Sequence, residues 1–479
     1  MRGRVTHLNN EPVTVQVTES QPSARIALQK HRWHTGRGTF TCVSTTTGRQ
    51  PAGSAFKENT HMKRRIAGSL AVIGAASLLL AACGGSSEGI PLYLVDGNTG
   101  NALGEKLPEG TLDGVKGTIP GAENTQDFKD ALLSVDPDLK DFSYAPESYD
   151  AVVLAALAAA AAGSDAGVDM AAQLVAITNG EDICNDYAGC LALLEEGKSI
   201  DYNGRSGAIN FWDAGDPTVA SIGVYEFGPD NRLKPEVTYV EGEIAAGTDA
   251  NPIDGPVQAG ANDGVFKVGT FLPITGSLAF LGPPEVAGVK LAIQDIETAG
   301  GVPGFDEIVL EEGDSGDTST QTGQQTIDRL LPLGIDVLIG AASSSSSLQV
   351  LDQVTGAGVL MISPANTSPE LTTAADRGLY WRTAPSDVLQ GQFLGSLILS
   401  EGYTKIAIMS LQDSYGDGLN ENVTKAITEG GGEIVANVVY DPTAADFAAD
   451  VSEINAAGPE AIVLIGFDES AQVITEMVK

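Results

Sequence analysis

Five consecutive serines, residues 343–347, stand between the apolar run "IDVLIGAA" and "LQVLDQVTGAG", whose apolar residues recur at helical spacing. A strand followed by a helix puts such a run in a βα turn at the strand's carboxyl end, where open α/β sheets bind ligands. A helix start offers N–H groups without partners and the positive end of the helix dipole, and serine hydroxyls add donors. That chemistry suits an anionic group, and a plain polar linker is the other reading of the run. Bond cleavage by serine would also need a base, and the four histidines (His7, His31, His34 and His61) all precede Cys83. The rest of the chain therefore lacks Ser-His-Asp and Cys-His catalysis and histidine-ligated zinc. An enzyme would have to work with carboxylates, lysine or tyrosine alone. No glycine-rich phosphate loop, nucleophile elbow or cluster with metal-ligand spacing occurs, so no catalytic residue, metal or cofactor is expected.

The charge narrows the partners. The chain has 479 residues, with 27 Lys and Arg against 63 Asp and Glu; after Cys83 the balance is 16 against 60, a net charge of −44. Such a body repels nucleic acid. Hydrophobic residues make up 42%, enough for a sizeable core in two or three domains.

The elements that must position the serines form a regular series from residue 264. Apolar runs, "VFKVGTFLPI", "EIVLEEGDSG", "IDVLIGAA", "GVLMISPAN", "KIAIMSLQD", "EIVANVVYD" and "EAIVLIGFD", alternate with segments of helical spacing. These are "PPEVAGVKLAIQDIETAGG", "TQTGQQTIDRLLPLG", the serine-led stretch, "GDGLNENVTKAITEGGG", "ADFAADVSEINAAG" and "ESAQVITEMVK". Apolar strands alternating with amphipathic helices predict parallel sheets with helices on both faces. The series closes on a helix at Lys479, where a β/α unit wants another strand. Residues 90–245 begin with one, "IPLYLVDGN", followed by "TLDGVKGTIPG", the Ala-rich helix "SYDAVVLAALAAAAAG", the helix "MAAQLVAITNG", a loop holding Cys184 and Cys190, and the β-rich "GAINFWDAGDPTVASIGVYEFG". Residues 246–263, rich in Ala, Gly, Pro and Asp without a period, read as a linker.

Residues 62–83, "MKRRIAGSLAVIGAASLLLAAC", have a basic start, an apolar core and small residues before a cysteine. They resemble a bacterial lipoprotein signal, which implies export and a diacylglyceryl anchor on Cys83. Residues 1–61 show no sustained hydrophobic period and are expected to be a disordered, non-native upstream extension. In an oxidising compartment, Cys184 and Cys190 are expected to pair as a structural disulfide.

"VGTFLPITGSLAFLGPPEVAGVKLAIQDI", "VLIGAASSSSSLQVLD", "GVLMISPANTSPELT", "RTAPSD" and "SYGDGL" follow one another as in the leucine/isoleucine/valine-binding family of type I periplasmic binding proteins, the substrate-binding components of branched-chain amino acid ABC importers. "YLVDGN", "YDAVVLAALA", "IDYNGRSG" and "GVYEFG" resemble that family's later part, yet here they come first. The resemblance implies two doubly wound parallel-sheet lobes joined by a hinge, in circularly permuted order. Residues 84–245 are then the family's C-terminal part, with parts of both lobes, and residues 264–479 its N-terminal part. Within the latter, 264–385 belong mainly to the first lobe and 386–479 mainly to the second, which 90–118 complete.

The same resemblance implies the site residues. Ser344 and Ser345 would take an amino acid's carboxylate. The Ala365 carbonyl, the Thr367 hydroxyl and Asp96 would take its ammonium, and Tyr415 would cap the ligand. Leu281 stands where relatives have an aromatic, and Phe467 with Asp468 replaces a tyrosine pair, which leaves the ligand open between a branched-chain amino acid, another small amino acid and an amide. The expected function is delivery of such a solute to an ABC permease by a monomeric, lipid-anchored binding protein outside the cell membrane. The alternatives are an extracellular sensor module and a carboxylate-based enzyme.

Overall fold

The computed structural model describes residues 89–245 and 263–479. The signal, Cys83, the upstream extension and almost all of the linker lie outside these residues. In chain order the elements are β1 (Leu92–Leu94), α1 (Asn101–Gly104), β2 (Lys116–Pro120), α2 (Gln126–Val135), α3 (Ala145–Ala162), α4 (Gly167–Ile177), β3 (Asp182–Cys184), α5 (Tyr187–Glu195), β4 (Ile200–Tyr202), β5 (Val219–Glu226) and β6 (Thr238–Glu243). After the linker come β7 (Val265–Phe271), α6 (Gly282–Thr298), β8 (Glu307–Glu311), α7 (Thr322–Leu330), β9 (Val337–Gly340), α8 (Ser344–Gly356), β10 (Leu360–Ser363), β11 (Tyr380–Arg382) and α9 (Asp387–Ser400). The series ends with β12 (Lys405–Leu411), α10 (Ser414–Glu429), β13 (Glu433–Tyr440), α11 (Ala448–Ala456), β14 (Ala461–Ile465) and α12 (Ser470–Met477).

Two sheets organise the molecule. One has the order β11-β10-β9-β7-β8 and is parallel throughout. Its middle strand β9, Val-Leu-Ile-Gly, is wholly buried, as a parallel strand covered on both faces must be. The other runs β13-β12-β14-β1-β2-β5-β6. Here β1 lies between β14 and β2, with Leu92 opposite Ile462 and Tyr93 opposite Val463 and Lys116. Pieces from the two ends of the described chain thus build one sheet. One strand differs from the all-parallel expectation: β5 runs antiparallel to both its neighbours, β2 and β6. The link between β5 and β6, residues 227–237, holds no helix and joins them as a hairpin rather than a helical crossover.

Each sheet has its own core. α3, α4 and α6 pack with β7, β9 and β10, while α9–α12 pack around β1, β12 and β14. α3 is buried along nearly all its length, and its contact with α6 depends on Gly288, where a Cβ would lie 2.3 Å from the Ala145 carbonyl oxygen. The cysteine-bearing segment, expected as a loop, holds helix α5 between two short parallel strands. Asp186 starts the helix by accepting from the Gly189 N–H at 2.8 Å, and Cys184 and Cys190 form the disulfide.

Among the described residues the chain passes between the two lobes after β2, between β4 and β5, and between β11 and α9. The last two passages are pinned together. Arg382, fully buried at the end of β11, donates from Nε to Asp216 Oδ1 at 2.6 Å, and its backbone N–H reaches the Gly215 carbonyl at 3.0 Å. Asp150 in α3 secures the start of the second passage, accepting from Tyr202 Oη and from the N–H groups of Arg205 and Ser206.

Candidate functional site

The carboxyl ends of the two sheets face one narrow cleft. From one lobe come Ala342, Ser343, Ser344, Ala365, Leu278 and Leu281; from the other come Asp96, Gly97, Tyr415 and Phe467. Tyr144, which precedes α3, completes the lining.

The serine run starts α8. Ser343 is the N-cap, its side chain accepting from the Ser346 N–H at 3.3 Å, so the first-turn N–H groups open toward the cleft. Ser344 Oγ accepts from the Ser368 N–H at 3.3 Å. The loop carrying Ala365 is shaped from below: Ser363 Oγ accepts from the N–H groups of Ala365 and Asn366, and Arg382 Nη1 donates to the Ser368 carbonyl at 2.8 Å.

Across the cleft, just past β1, lies buried Asp96. It accepts from Tyr144 Oη at 2.8 Å, Tyr415 Oη at 2.8 Å and Gln390 Nε2 at 2.9 Å. Burial pushes its carboxyl up, and the three donors pull it back. Asp387, the first residue of α9, is fully buried, and neither of its carboxylate oxygens has a partner within hydrogen-bond geometry. Burial and then the charge of Asp96 raise it well above the usual carboxylate range, against the pull of the Thr367 hydroxyl and Arg382. Gln390 Oε1 also lacks a partner. The second lobe's side of the site therefore holds buried oxygens without partners, while the α8 end offers donors.

The remaining walls are apolar. Tyr415 and Phe467 stack with centroids 5.4 Å apart and planes 12° apart, and Leu278 and Leu281 face the same space. Tyr415 falls within α10 because the helix opens at Ser414, two residues before the position expected from spacing. Asp413 caps it, accepting from the Gly416 N–H at 2.7 Å.

Of the residues expected at the site, Ser344, Ala365, Tyr415, Asp96, Leu281 and Phe467 line the cleft. Thr367 lies behind the lining, fully buried. Ser345 is not part of the lining either; its hydroxyl reaches Asp413 and Ser414 of the second lobe. Sequence reasoning missed Tyr144, Asp387 and Gln390. Tyr144 adopts a left-handed backbone, φ 58°, which no pattern of polarity announces. Asp387 and Gln390 belong to "RTAPSDVLQ", where the aspartate reads as an ordinary helix start.

Residues 265–477 match the family model described as periplasmic binding protein. Among curated relatives, the Leu/Ile/Val-binding protein homolog 3 of Brucella melitensis is 30% identical over 206 residues, covering 42% of this chain and 54% of the relative. The leucine-, isoleucine-, valine-, threonine- and alanine-binding protein of Pseudomonas aeruginosa is 26% identical over 216 residues, covering 44% of this chain and 57% of the relative. The chain thus spans a little over half the length of the curated relatives it matches. A solved structure, the branched-chain amino acid transporter substrate-binding protein of Streptococcus pneumoniae in complex with isoleucine, matches with a TM-score of 0.37 at 25% identity, over 42% of this chain and 56% of that one.

Proposed function

Taking residues 265–477 as a periplasmic binding protein domain, we propose that the chain is an extracytoplasmic solute-binding protein that captures an amino acid of branched-chain type, or a similar small solute, and presents it to an ABC permease. One observation carries this reading: a helix N-terminus with Ser344 and a buried carboxylate, Asp96, line one small cavity from opposite lobes. A zwitterion needs both. Its carboxylate would lie at the start of α8, against the first-turn N–H groups and Ser344. Its ammonium would lie at Asp96, with the Ala365 carbonyl, and would supply donors to the acceptors of Asp387 and Gln390 that lack them. Thr367 supports Asp387 from behind. The side chain would rest against Leu278, Leu281, Phe467 and Tyr415.

Binding is without turnover: ligand contacts from both lobes favour hinge closure, and the closed form is what a permease recognises. Cys83 would carry the lipid anchor, and the protein would act as a monomer. The β1–β14 pairing supports a circularly permuted order.

The experiment is a thermal-shift screen of the purified protein against amino acids and small amides. A ligand at about 100 times its dissociation constant adds roughly 2.7 kcal/mol of stability, so leucine, isoleucine or valine is expected to raise the midpoint. A midpoint unmoved by every amino acid removes the transport reading.

A further inference from the structure

Beside the cleft, but outside its lining, the lobes meet along a polar seam. Ser345 in the first turn of α8 donates from Oγ toward Asp413 Oδ2 and Ser414 Oγ, each at 3.3 Å, and accepts from the Ser414 N–H at 3.1 Å. Ser368, from the same lobe as Ser345, donates to the Ser414 carbonyl at 2.9 Å. A little further on, Gly418 of α10 lies so close to Pro369 that a Cβ on it would come within 2.6 Å of the proline Cδ. Two helix starts from opposite lobes thus face each other, with Asp413 serving both. Its Oδ1 caps its own helix, and its Oδ2 takes the hydroxyl from the other lobe.

We propose that Ser345 and Asp413 form a latch that holds the cleft shut, and that both are positioning residues for ligand capture which do not touch the ligand. The proposal rests on the cleft-closure reading above and assigns Ser345 a role other than carboxylate binding. Every contact in the seam is between protein atoms of opposite lobes, so the latch acts on the closed state whatever the cleft contains. Removing it destabilises the closed form relative to the open one, and the loss appears as faster ligand release.

Three variants and one trap test this. Ser345→Ala removes the bridging hydroxyl. Asp413→Asn keeps an acceptor for the Gly416 N–H, so the helix cap survives, and removes the charge. Gly418→Val presses on the rigid ring of Pro369 from the opposite side. Each is expected to speed release of leucine, isoleucine and valine by about three- to tenfold, the scale of one hydrogen bond between neutral partners, by the same factor for all three ligands. A factor that differs among the ligands overturns the proposal, because it makes Ser345 a ligand contact. Release within twofold of the unmodified protein in all three variants overturns it as well. The trap needs no ligand. A Ser345→Cys/Ser414→Cys protein under mild oxidation should yield the peptide cross-link between the two positions, by mass spectrometry, whether or not any amino acid binds. An absent cross-link refutes the seam itself, whereas a cross-link in a protein that binds no amino acid sinks only the transport reading.

Discussion

Leu92 pairs with Ile462 in parallel register, so the first described strand lies against the last. The second lobe's sheet is therefore shared between the two sides of the linker, with β1, β2, β5 and β6 from one side and β12–β14 from the other. Cutting the chain at a protease site engineered into residues 246–262 should leave two fragments that co-elute in gel filtration and separate only in denaturant. Fragments that part under native conditions would show that the shared sheet does not hold them.

Asp96→Ala should abolish the thermal shift from any amine-bearing ligand. Losing one partner of a buried charge pair costs about 2–5 kcal/mol, at least ~30-fold in affinity. Asp387→Asn should weaken the same ligands, since it replaces one of two neighbouring carboxyl groups by an amide and leaves Asp96 alone to balance the ammonium. Calorimetric titration reads both.

Leu281→Phe should narrow the cleft that Leu281 lines. Binding of leucine and isoleucine is expected to fall while that of alanine persists, because the added ring volume lies in the apolar half of the site. Equal losses for all three amino acids would mean that Leu281 does not face the ligand side chain.

Asp216→Ala should destabilise the protein by about 3–5 kcal/mol, because it strands the buried guanidinium of Arg382. The replacement pair Arg382→Met with Asp216→Leu should recover much of that loss in urea unfolding. It should still bind ligand more weakly, since Arg382 also supports the loop of Ala365 through the Ser368 carbonyl.

Glu147, buried in the first turn of α3, is pushed from its ordinary 4.5 up to about 8 by burial. Its folded state holds the proton more tightly than the unfolded state does. Its contribution to stability is therefore complete below pH ~4.5 and is lost as pH rises toward 8. Glu147→Gln should consequently gain stability relative to the unmodified protein between pH 5 and 8, by up to a few kcal/mol at ~1.4 kcal/mol per unit. Thermal midpoints taken across that range check the sign.

The alternation of strands and helices from residue 264 is legible because parallel strands buried on both faces read as unbroken apolar runs. Val337–Gly340 is one of them, and the serine run after it marks the βα turn. The strand β1 is legible for the same reason, since residues 90–95 are such a run. The antiparallel β5–β6 pair is not, because its burial alternates weakly and its partners are set by long-range register. Half of the charged environment is likewise hidden: Asp387 and Gln390 sit in a helix start that looks ordinary, and only the fold brings them to Asp96. Ser345 illustrates the limit of spacing. It stands next to Ser344 in the run, yet a helix turns adjacent residues by about 100°, and its hydroxyl finds Asp413 instead of the cleft.

The shared sheet also fixes the order in which the molecule can be assembled. β1 and β2 emerge from the ribosome long before β12 and β14, so the strand at the centre of the sheet keeps its β14 edge open until nearly the whole polypeptide has been made. Such non-local pairing is slow and leaves sticky edges exposed meanwhile. A nascent chain of this layout gains most from a holdase during synthesis, and from reaching its final compartment before it folds.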